Sequence, residues 1–222
     1  MKTLAHSCHL YRDRHCNTAD GLKAVFFDVG ETLVDEERWW RVLAERSGLQ
    51  PHVVWAALGV TIERGEEHDE LWRHLGIDRP TGWWNDLAYE LEDLYPDAIP
   101  CLEAVRSRGL RVGVVGNQTE ALERWARESA LPADVISSSA SLGVRKPDLR
   151  FFAGVVELAD CAPEELAYVG DRVDNDVLPA RAAGLVAVHL RRGPWGRLQK
   201  APVSALTIDS LNELPEALAS LA

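Results

Sequence analysis

The sequence predicts an open, doubly wound parallel α/β sheet with an all-helical segment inserted after its first strand. Three observations carry this prediction. From Leu22 onward, short and nearly continuous apolar runs recur, most of them ending in Gly, Asn, Asp or Ser. Such runs suit strands covered on both faces, as in a parallel sheet. Helix-length segments separate them, the spacing of strand–helix–strand crossovers. Between Asp35 and Pro96 the alternation stops and no strand pattern is found.

In chain order, residues 1–20 read as a solvated tail before the first strand. Cys8 and Cys16 lie there beside His6, His9 and His15, in a spacing that matches no closed zinc site. "LKAVFFDVG" is the first strand and its exit. Residues 36–96 carry only helical stretches: "EERWWRVLAERSG", "PHVVWAALG" and "WWNDLAYELEDLY". Six of the eight tryptophans fall in this segment: Trp39, Trp40, Trp55, Trp72, Trp83 and Trp84. They are expected to pack a small bundle with little other bulk to bury; the alternative is that one or two line a pocket facing the sheet. "LRVGVVGN", "ADVISSSA", "LAYVGD" and "LVAVHL" follow as strands, with helices expected over Thr119–Ser129, Asp148–Leu158 and Asp174–Ala183. "ALTID" and "SLNELPEALASL" close the chain as a short strand and a helix.

At 222 residues the chain suits one sizeable core with an inserted subdomain, divided as 21–35 plus 97–222 for the core and 36–96 for the helices. The composition, 46% hydrophobic and 27% charged, is globular. The formal net charge of −11 disfavours nucleic acid and anionic membrane as partners, since both reward basic patches. No apolar run approaches the ~20 residues that span a bilayer, and the N-terminus lacks a signal-peptide core. A soluble, cytoplasmic protein with reduced thiols is expected; the oligomeric state is left open.

Ligands of open α/β sheets bind at the carboxyl ends of the strands. Those ends carry Asp28, the Gly116–Asn117 pair, the Ser137–Ser139 run leading to Lys146, and Asp171 with Asp174, Asn175 and Asp176. Acidic clusters on adjacent strand tips repel unless a cation lies between them. Mg²⁺ takes hard oxygen ligands, often one or two carboxylates plus a phosphate. A nearby lysine completes a site for a phosphoryl dianion, and a carboxylate in line with phosphorus can attack it. These residues point to Mg²⁺-assisted phosphoryl transfer with Asp28 as nucleophile. Acids at a helix N-terminus are also favoured by its dipole, which accounts for one of Asp171 and Asp176 better than for both.

From Leu22 to the C-terminus the chain resembles the haloacid dehalogenase superfamily, whose members are mostly Mg²⁺-dependent phosphatases. "FFDVGETLVD" is similar to the first motif, "VVGNQT" stands at the second, "LGVRKPDLRFF" at the third and "YVGDRVDNDVLPARAAGL" at the fourth. Each fragment alone is weak; four in order at strand ends are a strong signal. The resemblance implies a Rossmann-like core with a helical cap and a small phosphorylated metabolite as substrate. It further implies Asp28 and Lys146 as catalytic residues and Gly116, Asn117 and Lys146 as phosphate-binding ones. The Mg²⁺ ligands implied are Asp28, the backbone carbonyl of Gly30, Asp171 and Asp176.

Two positions depart from the family pattern. Gly30 stands where phosphatases carry a second Asp that protonates the leaving oxygen, a function worth ~10²–10⁴ in rate. Gly116 replaces a Ser or Thr hydroxyl that holds a phosphate oxygen. The expectation is a phosphatase that is slow or restricted to good leaving groups, with a catalytically impaired phosphate- or metal-binding protein, or an interaction protein, as the alternative. Glu31 is expected to point elsewhere, and Thr119 is a candidate substitute for the lost hydroxyl. Dehalogenases of the superfamily tend to carry Tyr at position 30, which disfavours halide displacement. The cap lysine of its phosphonate hydrolases has no counterpart between Lys23 and Lys146.

Overall fold

The computed structural model describes residues 21–80 and 88–221. The Cys/His-containing tail and the Trp83–Trp84 pair lie outside the described residues. Six strands form one parallel sheet: β1 (Ala24–Phe27), β2 (Arg111–Gly116), β3 (Val135–Ser138), β4 (Leu166–Gly170), β5 (Val186–Leu190) and β6 (Leu206–Ile208), in the order β3-β2-β1-β4-β5-β6. The chain winds outward from β1 through β2 to β3, then crosses back to β4 and continues to β6. The order therefore reverses between β1 and β4, the position where ligands gather in such sheets.

The helices are α1 (Glu37–Arg46), α2 (Pro51–Glu63), α3 (Glu70–Leu75), α4 (Ala98–Ser107), α5 (Glu120–Glu128), α6 (Ser139–Leu142), α7 (Leu149–Ala159), α8 (Leu178–Ala182), α9 (Gly193–Leu198) and α10 (Leu214–Ala219). Alternation along β1 sends Val25 and Phe27 to one face of the sheet and Ala24 and Phe26 to the other. The first face packs on α4, α5 and α10 through Leu102, Leu122 and Leu218. The second packs on α7 and α8 through Phe151, Phe152 and Ala180. All four β1 residues are fully buried, which is why the run reads as continuous apolar sequence.

Helices α4 and α9 and the single turn of α6 are additions to the elements expected from the sequence. Pro100 sits in the first turn of α4, where a missing N–H costs nothing, yet it interrupts the apolar period. "GPWGRL" of α9 has no period at all. In the other direction, the stretch "AYELEDLY" is not a continuous helix: among its described residues only Leu91–Asp93 form a single 3₁₀ turn. There the Asp93 carboxylate accepts the Glu90 N–H and pairs with Arg38 of α1, so local side-chain bonding replaces helix.

Helices α1, α2 and α3 share a cluster of their own in which Trp39, Trp40 and Trp72 are buried, the packing role expected for them. One member comes from elsewhere in the chain. Trp195 of α9 inserts into this cluster and joins the helices to the sheet.

Candidate active site

β1 delivers Asp28 to the site. Its backbone N–H still donates to Val169 of β4 (2.9 Å), so the carboxylate stands at the strand tip directly beside Asp171, the first residue after β4. One π-helical turn, Val173–Val177, then brings Asp176 back under the tip. There Asp176 Oδ2 accepts the Arg172 N–H at 2.9 Å. Ligand oxygens of Asp28, Asp171 and Asp176 lie within 4.8 Å of one another. Lys146 bridges two of them, its Nζ 2.7 Å from Asp28 Oδ1 and 2.6 Å from Asp176 Oδ1.

Burial sets the electrostatics here. It would by itself lower the Lys146 pKa, but the Asp176 and Asp28 carboxylates outweigh it and hold the ammonium well above its usual value. Burial lifts the Asp176 carboxyl to about 6 despite Lys146. Asp171, buried beside the charges of Asp176 and Asp28, is pushed well above the ordinary carboxylate range. Its Oδ2 is buried without a hydrogen-bond partner. An orphaned buried carboxylate oxygen beside two further carboxylates is a donor set suited to a hard divalent cation, and Mg²⁺ fits it. Asp171 is braced from behind, its carbonyl accepting from His189 Nε2 at 3.1 Å.

The second strand end is brought to the same place, with Asn117 on the cavity wall. Asn117 clasps the backbone of Lys146: its Nδ2 donates to the Lys146 carbonyl (3.1 Å) and its Oδ1 accepts the Lys146 N–H (2.8 Å). Gly116 lies against Asp28, and a Cβ there would fall on Asp28 Oδ1. The absence of a side chain at 116 is what lets Asp28 lean over to Lys146. Thr119 does not replace the missing hydroxyl, because it caps α5 by accepting the Leu122 N–H. Asp174 is turned away to pair with Arg172 (2.8 Å).

A cavity of about 480 Å³ opens above Asp28, Lys146 and Asp171, between the strand tips and the inserted helices. Sequence patterns missed most of its wall. Glu67, His68, Asp69 and Arg79 come from the inserted segment, Arg145 precedes the site lysine, and Trp195 closes one side. His68, Arg172 and Trp195 form the seam between these layers. Arg172 Nη1 contacts His68 Nδ1 at 3.0 Å, and its guanidinium lies 3.7 Å from the Trp195 ring. Burial and the Arg172 charge push the His68 pKa down to about 3, so His68 is the neutral acceptor in this contact.

Two further carboxyls line the cavity. Glu31 and Glu36 follow Gly30 through a tight turn in which Val34 N–H donates to Val29 and Glu31 N–H to Val34. Glu31 has positive φ (52°) and is held by the Tyr95 hydroxyl (2.7 Å) and the Glu36 N–H (3.2 Å). The Tyr89 hydroxyl donates to Glu36 Oε1 at 2.6 Å. Burial raises Glu31 to about 7 and, with the Glu31 and Asp28 charges, Glu36 to about 8.

A parallel sheet with this order, and an acid cluster with a lysine at the strand tips, define a hydrolase of the haloacid dehalogenase class. The chain belongs to the haloacid dehalogenase-like hydrolase family, which it matches over residues 22–184. It is 27% identical over 237 aligned positions to a glyceraldehyde 3-phosphate phosphatase of Methanopyrus kandleri, covering 90% of this chain and 99% of that protein. A HAD phosphatase from Thermococcus onnurineus superposes with a TM-score of 0.60 at 25% identity, over 89% of this chain and 98% of that one. The L-2-haloacid dehalogenase of Xanthobacter autotrophicus, at 20% identity, shares the fold with a TM-score of 0.65 over 90% of this chain and 100% of that one.

Proposed function

We propose that this protein is a Mg²⁺-dependent phosphatase that works through an aspartyl phosphate on Asp28. The observation that carries the reading is the arrangement of Asp28, Asp171 and Asp176 around Lys146 at the floor of the cavity. Asp28, Asp171 and Asp176, with the Gly30 carbonyl, would hold the cation, which when bound offsets the charge of the phosphoryl oxygens. Asp28 attacks phosphorus and Lys146 binds a phosphoryl oxygen while balancing the charge that spreads over it. Asn117 keeps Lys146 in place through the backbone. The helices of 36–96 act as the cap that closes over substrate and sets its identity.

The cavity volume suits a small phosphorylated metabolite. The relative from Methanopyrus makes glyceraldehyde 3-phosphate the first compound to assay. With no side chain at position 30, Asp28 acting alone serves only leaving groups that depart without a proton, such as acyl or activated aryl phosphates. The test is p-nitrophenyl phosphate hydrolysis with Mg²⁺. Turnover is expected in the wild type and lost by at least about 10³-fold in Asp28→Asn. Equal rates in the two proteins overturn the reading.

A further inference from the structure

We propose that Glu36 is the acid–base residue of this site, standing in through space for the side chain that Gly30 lacks. The inference rests on the phosphoryl-transfer reading above. Its first support is a coincidence of volume. A Cβ built on Gly30 would fall on the Glu36 carboxyl, 2.9 Å from its Cδ, and no other group lies closer to that point. The space a side chain at 30 would occupy is already filled by a carboxyl from six residues further along.

The second support is how that carboxyl is held. The turn from Val29 to Val34 folds the chain back beside β1, and Glu36 sits at the start of α1 with its N–H bonded to Glu31. Tyr89, brought in by the far end of the inserted segment, donates to Oε1, and the Trp40 indole supplies a further hydrogen bond. The carboxyl is therefore fixed in a nearly dry wall, 8% exposed, and that wall faces the cavity it shares with Asp28. A buried carboxyl aimed at a site by two donors is poorly explained as surface charge. Glu31 also borders the cavity, but its carboxyl is directed at Tyr95 and at the space over Gly193.

The chemistry balances in two steps. Asp28 Oδ forms a bond to phosphorus as the bond from phosphorus to the leaving oxygen breaks. That oxygen keeps the electron pair and takes the Glu36 proton, giving the alcohol, the aspartyl phosphate and a Glu36 carboxylate. Glu36 then removes a proton from water as the water oxygen attacks phosphorus. The bond to Asp28 breaks, its electron pair returns to the carboxylate, and inorganic phosphate leaves with Glu36 again protonated. A proton donor of this kind extends the substrate range to alkyl and unactivated aryl phosphates, whose leaving oxygens depart poorly as anions.

The test compares phenyl phosphate with p-nitrophenyl phosphate in wild type, Glu36→Gln, Glu31→Gln and Asp28→Asn, with Mg²⁺. Gln keeps the size of Glu and an acceptor for Tyr89. The wild type should hydrolyse both probes. In Glu36→Gln, kcat/KM for phenyl phosphate should fall by about 10²-fold or more while that for p-nitrophenyl phosphate changes far less. Its kcat should drop on both, with phosphoenzyme accumulating by intact mass, because the second step also lacks its base. Gly30→Asp alone should give no large gain, since the new side chain meets Glu36, whereas Gly30→Asp with Glu36→Ala should restore hydrolysis of phenyl phosphate. A structural role for Glu36 would not move the ratio between the two probes. A wild-type ratio in Glu36→Gln overturns the proposal, as does a ratio that shifts in Glu31→Gln instead or a wild type inert on phenyl phosphate. Activity persisting in Asp28→Asn overturns the phosphatase reading itself, so the two failures are distinct.

Discussion

Asp171 carries a local cost to the fold that a bound cation would offset. Its Oδ2 is buried with no partner, facing Asp28 and Asp176. Leaving a buried oxygen unsatisfied costs roughly 1–3 kcal/mol, more if it is charged. A cation binding only the folded state returns stability by mass action, about 2.7 kcal/mol at a hundred times its Kd. Asp171→Asn should therefore melt no lower than wild type without metal, and should lose the rise in Tm that Mg²⁺ gives the wild type. Thermal unfolding with and without Mg²⁺ checks this; the same rise in both proteins would exclude Asp171 as a ligand. At this scale the site was largely legible. Asp28 and Asp171 directly follow their strands, and Lys146 and Asp176 lie in the segments beyond β3 and β4. All four fall in recognisable motifs, and the structure brings them together. Glu36 was not legible, because its relation to Gly30 is one of shared volume, which no spacing along the chain encodes.

Among the elements, α9 carries more than its six residues suggest. Trp195 packs into the cluster of α1, α2 and α3, supports the Arg172 guanidinium, and faces His68 at 4.9 Å between ring centroids. Truncating a buried tryptophan of this kind costs about 3–5 kcal/mol. Trp195→Ala should lower unfolding stability by that order, read from denaturant midpoints. A loss well under that range would mean that the inserted helices do not lean on α9. The four central strands were readable because burial on both faces makes each one an apolar run, whereas the edge strands β3 and β6 are only partly buried. The helix α9 was not readable, since two glycines and a proline leave only Trp195 to signal it. Nor was the short 3₁₀ turn at Leu91–Asp93, where the apolar spacing imitates a helix but Asp93 bonds Glu90 and Arg38 instead.

Over the whole molecule, the acidic excess and the buried carboxyls together fix the direction in which stability responds to pH. Burial raises Glu31 to about 7 and Glu36 to about 8, from an ordinary 4.5, and it pushes Asp171 the same way. Each of these groups binds its proton more tightly folded than unfolded, so rising pH strips the unfolded chain first and stability falls through the folded pKa. His68 opposes them lower down. With its pKa depressed to about 3 from 6.5, it favours the folded state as pH rises, and that gain is complete once the unfolded histidine has lost its proton. Between about pH 4.5 and 6.5 the two glutamates outweigh the single histidine, and above pH 6.5 the histidine no longer opposes them. Metal-free protein should therefore lose stability from about pH 4.5 to 8, most steeply just above pH 6.5. Urea denaturation across that range measures the slope. Glu36→Gln removes one of the groups responsible and should flatten the fall over the whole range from about pH 4.5 to 8. An alkaline slope as steep as in wild type would mean that Glu36 is already ionised in the folded protein at neutral pH, and that burial beside Asp28 and Glu31 does not hold its proton.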